Sequence, residues 1–397
     1  MHIGVVGGSI AGCCAAAELI RAGHTVEVFE RALGRLPGQG AGIGLQPETL
    51  RVLIEHGLLD ADVPRFEQVS HVFVAKHASD LRFGREALRL SMPAWSMNWA
   101  DLYRNLRERV PDASYHANAD VIGLARDDAD RATLRFADGT ERAFELVVFA
   151  DGYQSLGRAL LCPEVEPSYR GYTLWRGIVE EGALRTATPL DGVVYRIGYR
   201  GLAGHAALYR MPNAGVGAVN FACYLPLTAA ELPEFLVDRS GVRHATSLPP
   251  GAMRLQEEAR LRALMREHLP SYFADIVAQA RDTFAQPIFT VSVPRYRRRR
   301  VCLLGDAGAL APPLTGSGVL KATLNATDLA RSLAAEADLD AALSGWADRQ
   351  MNLGRVLTTV GERMEKALIW ECPDLNTLDS QAALAWWQSA ISLPRAA

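Results

Sequence analysis

The chain opens on a short apolar strand, Ile3, Val5 and Val6, after which apolar positions take the period of a helix over 13–22. Between them lies Gly7-Gly8-Ser9-Ile10-Ala11-Gly12, and a second strand over 25–29 ends at Glu30. Pro47 suits the first turn of a helix reaching His56, 71–90 alternates as strands do, and 98–110 is helical with Leu102 and Leu106 four apart. A hairpin is written over 132–149, with strands at 132–136 and 140–149 and the turn Asp138-Gly139 between them. Four alternating segments rich in aromatics follow, at 173–179, 193–199, 205–211 and 216–225, and predict a sheet with one face over a pocket. A helical stretch over 257–281 is interrupted by Pro270, a strand is expected at 301–304, a helix at 319–335, and helices from Leu339 to the end.

Three places in this pattern carry chemistry. The first is the glycine turn between strand and helix. It offers backbone N–H groups at a helix N-terminus to a pyrophosphate, and Glu30, at the end of the next strand, offers a carboxylate to ribose hydroxyls. Ser9 takes the second glycine slot of G-x-G-x-x-G, and its hydroxyl can donate to a phosphate oxygen; the plain alternative is an ordinary βαβ turn. The second is the strand 145–150 running into Asp151-Gly152, with Ser155 and Arg158 at a helix start, which taken alone also fits a simple turn. The third is the strand ending in Gly305-Asp306-Ala307, then Pro312-Pro313-Leu314-Thr315-Gly316-Ser317-Gly318 and a helix N-terminus. First and third lie nearly three hundred residues apart, so the two ends of the chain are expected to build one site. The glycine-dense loop 38–44 suits close approach to a flat ligand.

Composition narrows the classes. A net charge of −3 over 397 residues offers no general attraction for nucleic acid or an anionic membrane. No apolar run approaches the roughly 20 residues of a membrane span. A nucleotide-binding strand at residue 3 leaves no room for a signal peptide, so a cytoplasmic location is expected. Six cysteines lie scattered without C-x-x-C or ligand spacing, which predicts reduced thiols and no metal. The basic run 295–300 reads as a solvated lead-in to the strand after it. Trp346, Trp370, Trp386 and Trp387 read as core or as subunit contact, the latter giving a homodimer.

GGSIAG with Glu30, then ADGYQSLGR, then GDAGALAPPLTGSG, in that order and across nearly the whole chain, resemble the single-component FAD-dependent monooxygenases, the aromatic-hydroxylase group that shares the para-hydroxybenzoate hydroxylase fold. Within it the chain is similar to the 2,6-dihydroxypyridine 3-hydroxylase branch through VVGGSI, GIGLQPE at 42–48, GYTLWRG at 171–177 and Lys321-Ala322. The resemblance implies an α/β fold: a Rossmann-like FAD-binding domain (1–70, 98–168 and 291–335) with an inserted, mostly antiparallel β-sheet substrate domain (71–97 and 169–290) and a C-terminal helical segment (336–397). It implies that Gly7, Gly8, Ser9, Ile10, Ala11 and Gly12 hold the FAD pyrophosphate, and Glu30 with Arg31 the adenosine ribose. Gly44, Leu45 and Gln46 would approach the cofactor. Asp151, Gly152 and Arg158 would form the motif tied to FAD and NAD(P)H. Gly305 and Asp306 would meet the ribityl or pyrophosphate region, and Pro313, Gly316, Ser317, Gly318, Val319 and Leu320 the flavin ring. Trp99 stands where many relatives carry Arg, Gly308-Ala309 replaces a frequent Ala-His, Leu320 a common Asn, and Asn325 a common Asp.

The reaction so implied uses NADH or NADPH to reduce FAD, and O₂ then adds at flavin C4a to give a hydroperoxide that hydroxylates a small phenol- or hydroxypyridine-like ring. Backbone near Pro313 would face the reacting oxygen. The expected sheet face offers His205, Tyr195, Tyr209 and Tyr224 as base or hydrogen-bond acceptor. With no second Rossmann unit, the nicotinamide would bind transiently. Other readings of the same motifs are epoxidation, Baeyer–Villiger oxidation or reduction on this fold, and a non-catalytic flavin or ligand carrier.

Overall fold

A computed structural model describes residues 1–33, 41–184 and 190–392. The first strand (His2–Val6) lies at the centre of a six-stranded sheet, flanked by Thr25–Glu30 on one side and Leu146–Phe149 on the other, all parallel. Tyr115–Ala117 extends one side, and Val301–Leu303 with Arg297–Arg298 the other. Helices Ile10–Arg21 and Gly318–Ala335 pack against each other in the core formed with this sheet, where Ile3, Val5, Leu19 and Leu303 are fully buried. Burial on both faces explains why these strands read as continuous apolar runs.

A nine-stranded sheet stands beside it in the order 309–310, 284–292, 168–180, 216–226, 205–213, 193–198, 66–77, 80–98, 42–45. Its pairs are antiparallel except Val193–Gly198 with Phe66–His77. One face packs on helices Leu255–His268 and Ser271–Gln279 through Ile197, Leu208, Phe221 and Phe273. The other is covered by the C-terminal elements Leu339–Glu365, the π-helical turn Lys366–Trp370 and Ser380–Ile391. Pro270 divides the 255–279 helical stretch, as its missing N–H requires.

Two sequence expectations change. The second hairpin strand is two strands: Glu141–Phe144 closes a small three-stranded sheet, and Leu146–Phe149 enters the parallel one. The switch occurs at Glu145, whose N–H donates to the His2 carbonyl at 2.9 Å while its carboxylate accepts from the His2 N–H at 2.6 Å. Residues 42–45 of the glycine-dense loop are an edge strand paired to 95–98; Gly38, Gln39 and Gly40 lie outside the described residues. The basic run is neutralised locally, Arg297 and Arg300 by Asp340, Arg298 by Asp127 and Arg295 by Glu164. All six cysteines are free thiols, five of them buried. No helix among the described residues is long and apolar enough to cross a membrane, and they hold no metal-type cluster of His, Cys, Asp and Glu.

Candidate active site

A cavity of about 730 Å³ opens between the two sheets, within the size range of small-molecule and cofactor sites. One wall comes from the loops after the parallel strands: Ser9, Ile10 and Ala11, then Ala150 and Gly152, then Gly305 and Asp306. Pro313 and Gly316 to Leu320 continue it, with Gly44, Leu45 and Gln46 alongside. The first and third motifs, distant in sequence, thus meet.

The first helix begins without an acid in its opening turn, and Ser9, its N-cap, makes no side-chain cap hydrogen bond. Its first N–H groups are left for a ligand, and the helix dipole favours an anion there. Gly7 sits at φ +97°, and a Cβ on Gly12 would lie 1.8 Å from the Gly7 carbonyl oxygen, so the close turn requires glycine at both places. Gly7, Gly8, Gly12 and Glu30 stand behind this wall rather than on it. Glu30 accepts from the N–H groups of Gly8 (2.8 Å) and Ala32 (2.9 Å), which holds the turn in shape. Arg31 is exposed and does not line the cavity. This cradle suits a dinucleotide pyrophosphate.

In the second motif Ala150 and Gly152 reach the cavity, and Asp151 does not. The Asp151 carboxylate accepts from the Ser155 hydroxyl and the Gly157 N–H, and burial raises its pKa. Arg158 is buried and donates to the carbonyls of Tyr153, Asp306 (3.4 Å) and Ala307 (3.3 Å). Asp151 and Arg158 thereby brace the second motif against the third.

In the third motif, Gly316 is left-handed at φ +62°, and the helix Gly318–Ala335 starts with no acid in its first turn. Ser317 turns its hydroxyl to Thr315 (2.7 Å) instead of capping, so this second helix N-terminus also faces the cavity uncapped. Lys321, buried, pairs with Asp306 at 2.6 Å and donates to the Ala309 carbonyl. Behind them Asn325 accepts from the Gly305 N–H (2.9 Å) and donates to Gln350 (2.8 Å). Trp99 stacks on Tyr103 with centroids 5.4 Å apart and lines the cavity.

The opposite wall is the nine-stranded sheet, where strand alternation decides which side chains reach the space. Residues 194, 196, 207, 209, 222 and 224 point in; Tyr195, between two of them, points to the other face and packs on Phe273 with centroids 5.0 Å apart. Tyr209 and Tyr224 line the cavity, and burial pushes both phenols up, Tyr224 to about 12. His205 shares their face but lies flat on Tyr224 (4.6 Å) beside the C-terminal turn, where the Gly204 N–H donates to the Ile369 carbonyl. It is 1 % exposed, and burial holds its pKa far below the ordinary value. Neither Tyr195 nor His205 borders the open space. Sequence reasoning passed over Arg176, Arg196, His71 and Trp387, which do. For the first two the signal was present, since Arg176 and Arg196 share the inward parity of Tyr224 and Tyr209. His71 and Trp387 are brought in by strand pairing and by docking of the last helix.

A family model described as FAD binding domain matches residues 1–351. The chain belongs to this family. Over 378 residues it is 31 % identical to 2,6-dihydroxypyridine 3-monooxygenase of Paenarthrobacter nicotinovorans, covering 92 % of this chain and 91 % of that protein. The structure of 2,6-dihydroxypyridine-3-hydroxylase from Arthrobacter nicotinovorans superposes with a TM-score of 0.84 at 27 % identity, over 100 % of this chain and 99 % of the other. Klebsiella pneumoniae HpxO complexed with FAD and uric acid shares the fold, with a TM-score of 0.75 at 23 % identity over 98 % and 92 % of the two chains. The α/β architecture with its antiparallel sheet and C-terminal helices is therefore that of FAD-binding hydroxylases, as the motifs implied, and FAD is its cofactor.

Proposed function

We propose that this protein is an FAD-dependent monooxygenase that takes electrons from NADH or NADPH and places one atom of O₂ on a small, electron-rich aromatic or N-heteroaromatic ring. The observation that carries this reading is one cavity that has two uncapped helix N-termini and glycine turns on one wall and an aromatic, cationic sheet face on the other. Backbone at Ser9 to Ala11 would hold the pyrophosphate, Glu30 the ribose end through its remaining lone pairs, and Pro313 with Gly316 to Leu320 the flavin ring. FAD supplies the redox chemistry when bound.

The chain's own residues set the conditions. The N-terminus of Gly318–Ala335 stabilises negative charge placed against it. Tyr209 and Tyr224 stay protonated at neutral pH and serve as hydrogen-bond donors to the ring's substituents. His71, whose pKa burial and neighbouring Arg196 lower to about 3, is a neutral imidazole there. Trp387, Met364 and Leu314 wall off water from the ring. The ring substrates named for the relatives support the substrate class.

The test is to load the protein with FAD and supply NADH or NADPH, ¹⁸O₂ and a panel of phenols and hydroxypyridines. The expected product carries one ¹⁸O on the ring, formed in step with nucleotide consumption. Nucleotide oxidation that no ring compound stimulates, or a product without ¹⁸O, refutes the reading.

A further inference from the structure

The cavity favours negative charge along most of its lining, through two uncapped helix N-termini and the side chains of Arg176, Arg196 and Lys321. Asp306 runs against this, as the one carboxylate that borders the cavity among the described residues. It sits on the turn Gly305–Ala307, on the same wall as the glycine cradle, with its side chain 43 % exposed. Only Oδ1 is engaged, by the Lys321 ammonium at 2.6 Å; Oδ2 makes no hydrogen bond among the described residues.

Lys321 stands in the first turn of the helix Gly318–Ala335 and is 3 % exposed. Side chains on a helix lean toward its N-terminus, which brings the ammonium to the third motif, where it also donates to the Ala309 carbonyl. A lysine withdrawn this far from water requires a counter-charge, and Asp306 supplies it. The other titratable groups around Asp306 leave its carboxylate alone. Arg158 reaches the backbone carbonyl, at 3.4 Å, and Tyr296 is kept a neutral phenol by burial.

We propose that Lys321 is a positioning residue for FAD that acts through Asp306. Its ammonium cancels the carboxylate charge and fixes its direction, so that Oδ2 can accept a hydrogen bond from a hydroxyl of the cofactor on a wall that also holds the diphosphate. Without cofactor, water solvates the exposed part of Asp306. Once FAD covers it, the carboxylate loses that water beside two negative phosphates, so the lysine is needed for cofactor binding more than for folding. The inference rests on the FAD placement proposed above and not on ring hydroxylation.

The experiment is FAD titration of the apoprotein, followed by flavin fluorescence, in the unmodified protein, Lys321→Met, Asp306→Asn and the double variant. Asp306→Asn is expected to weaken binding about 10-fold, the scale of one charge-assisted hydrogen bond, and Lys321→Met roughly 100-fold. The double variant, with no charge left uncompensated, binds roughly 10-fold more tightly than Lys321→Met. The gap between those two closes as the pH is lowered from 8 to 5, because protonation removes the same charge. A lysine that only braced the loop would cost the same with and without the carboxylate. Equal losses in the two backgrounds, a double variant no tighter than Lys321→Met, a gap indifferent to pH, or unchanged affinity in Lys321→Met overturns the inference. If Lys321→Met does not fold, Lys321→Gln, which keeps a donor and loses the charge, is read in the same backgrounds against the same outcomes. Failure of the unmodified protein to bind FAD overturns the placement instead.

Discussion

Asn325→Leu removes the polar atoms that tie the third motif to the long C-terminal helix while keeping the branched heavy-atom shape of the side chain. Asn325 is fully buried; its Oδ1 accepts from the Gly305 N–H at 2.9 Å and its Nδ2 donates to Gln350 Oε1 at 2.8 Å. The leucine leaves one donor and one acceptor buried without partners, each costing about 1–3 kcal/mol, so the loss is about 2–6 kcal/mol. With an unfolding entropy of about 2.1 cal/mol/K per residue, a chain of this length loses about 1.2 °C in Tm per kcal/mol, and the expected drop is about 2–7 °C. Because Gly305 leads directly into Asp306 on the cavity wall, FAD affinity should fall with it. Differential scanning calorimetry and FAD titration of the apoprotein are the assays. A further comparison is Asn325→Asp, the residue frequent in the resembling family. It restores an acceptor for Gly305, but Gln350 already donates to Asp328, so two carboxylates then compete for one amide NH₂ and stability falls again. A Tm within 1 °C of the unmodified protein for Asn325→Leu, with unchanged FAD affinity, refutes this account of how the motif is held.

Gly12→Ala places a methyl group 1.8 Å from the Gly7 carbonyl oxygen, so the turn must open, and the purified protein should be colourless and should fail to take up added FAD by absorbance. His71 has its pKa lowered to about 3, so between pH 6.5 and 3 the unfolded chain binds more protons than the folded one and stability is lost as pH falls through that window. At about 1.4 kcal/mol per pH unit, the Tm drop from pH 7 to 5 should exceed that of His71→Gln by about 2 °C, and equal slopes in the two proteins would remove the argument. Trp387→Ala deletes a ring packed 5.0 Å from Phe73 and opens the cavity under the last helix. It should cost about 3–5 kcal/mol of local docking and lower the yield of hydroxylated product per nucleotide oxidised, measured by product analysis against nucleotide absorbance.

Local rules made the dinucleotide half readable in one dimension. The Gly7–Gly12 turn, Glu30 at the end of its strand and the helix start at Gly318 each depend on neighbours a few residues away, because caps, tight turns and strand ends are short-range devices. The same holds for the four aromatic strands, which form at the expected places as 168–180, 193–198, 205–213 and 216–226. Glu145 marks where such reasoning stops: nothing in 140–149 says that one apolar run serves two sheets, since the choice is made by the partner strand His2–Val6.

The substrate side shows the division most clearly. Period-two alternation within Val193–Gly198 already separated Tyr195 from Arg196; what it left open was which set would face a cavity and which would face helices. That was decided by the helices Leu255–His268 and Ser271–Gln279, which bury the Tyr195 side, and by the C-terminal segment, which seals His205 while leaving Arg196 open. The sequence by itself determined the strands, the glycine turns and the helix N-termini, because those follow from backbone geometry and local hydrogen bonding. Only the tertiary structure decided which charges lie beside the cavity without a carboxylate partner, because whether a half-buried arginine such as Arg196 has one depends on residues brought together from strands and helices far apart in the chain.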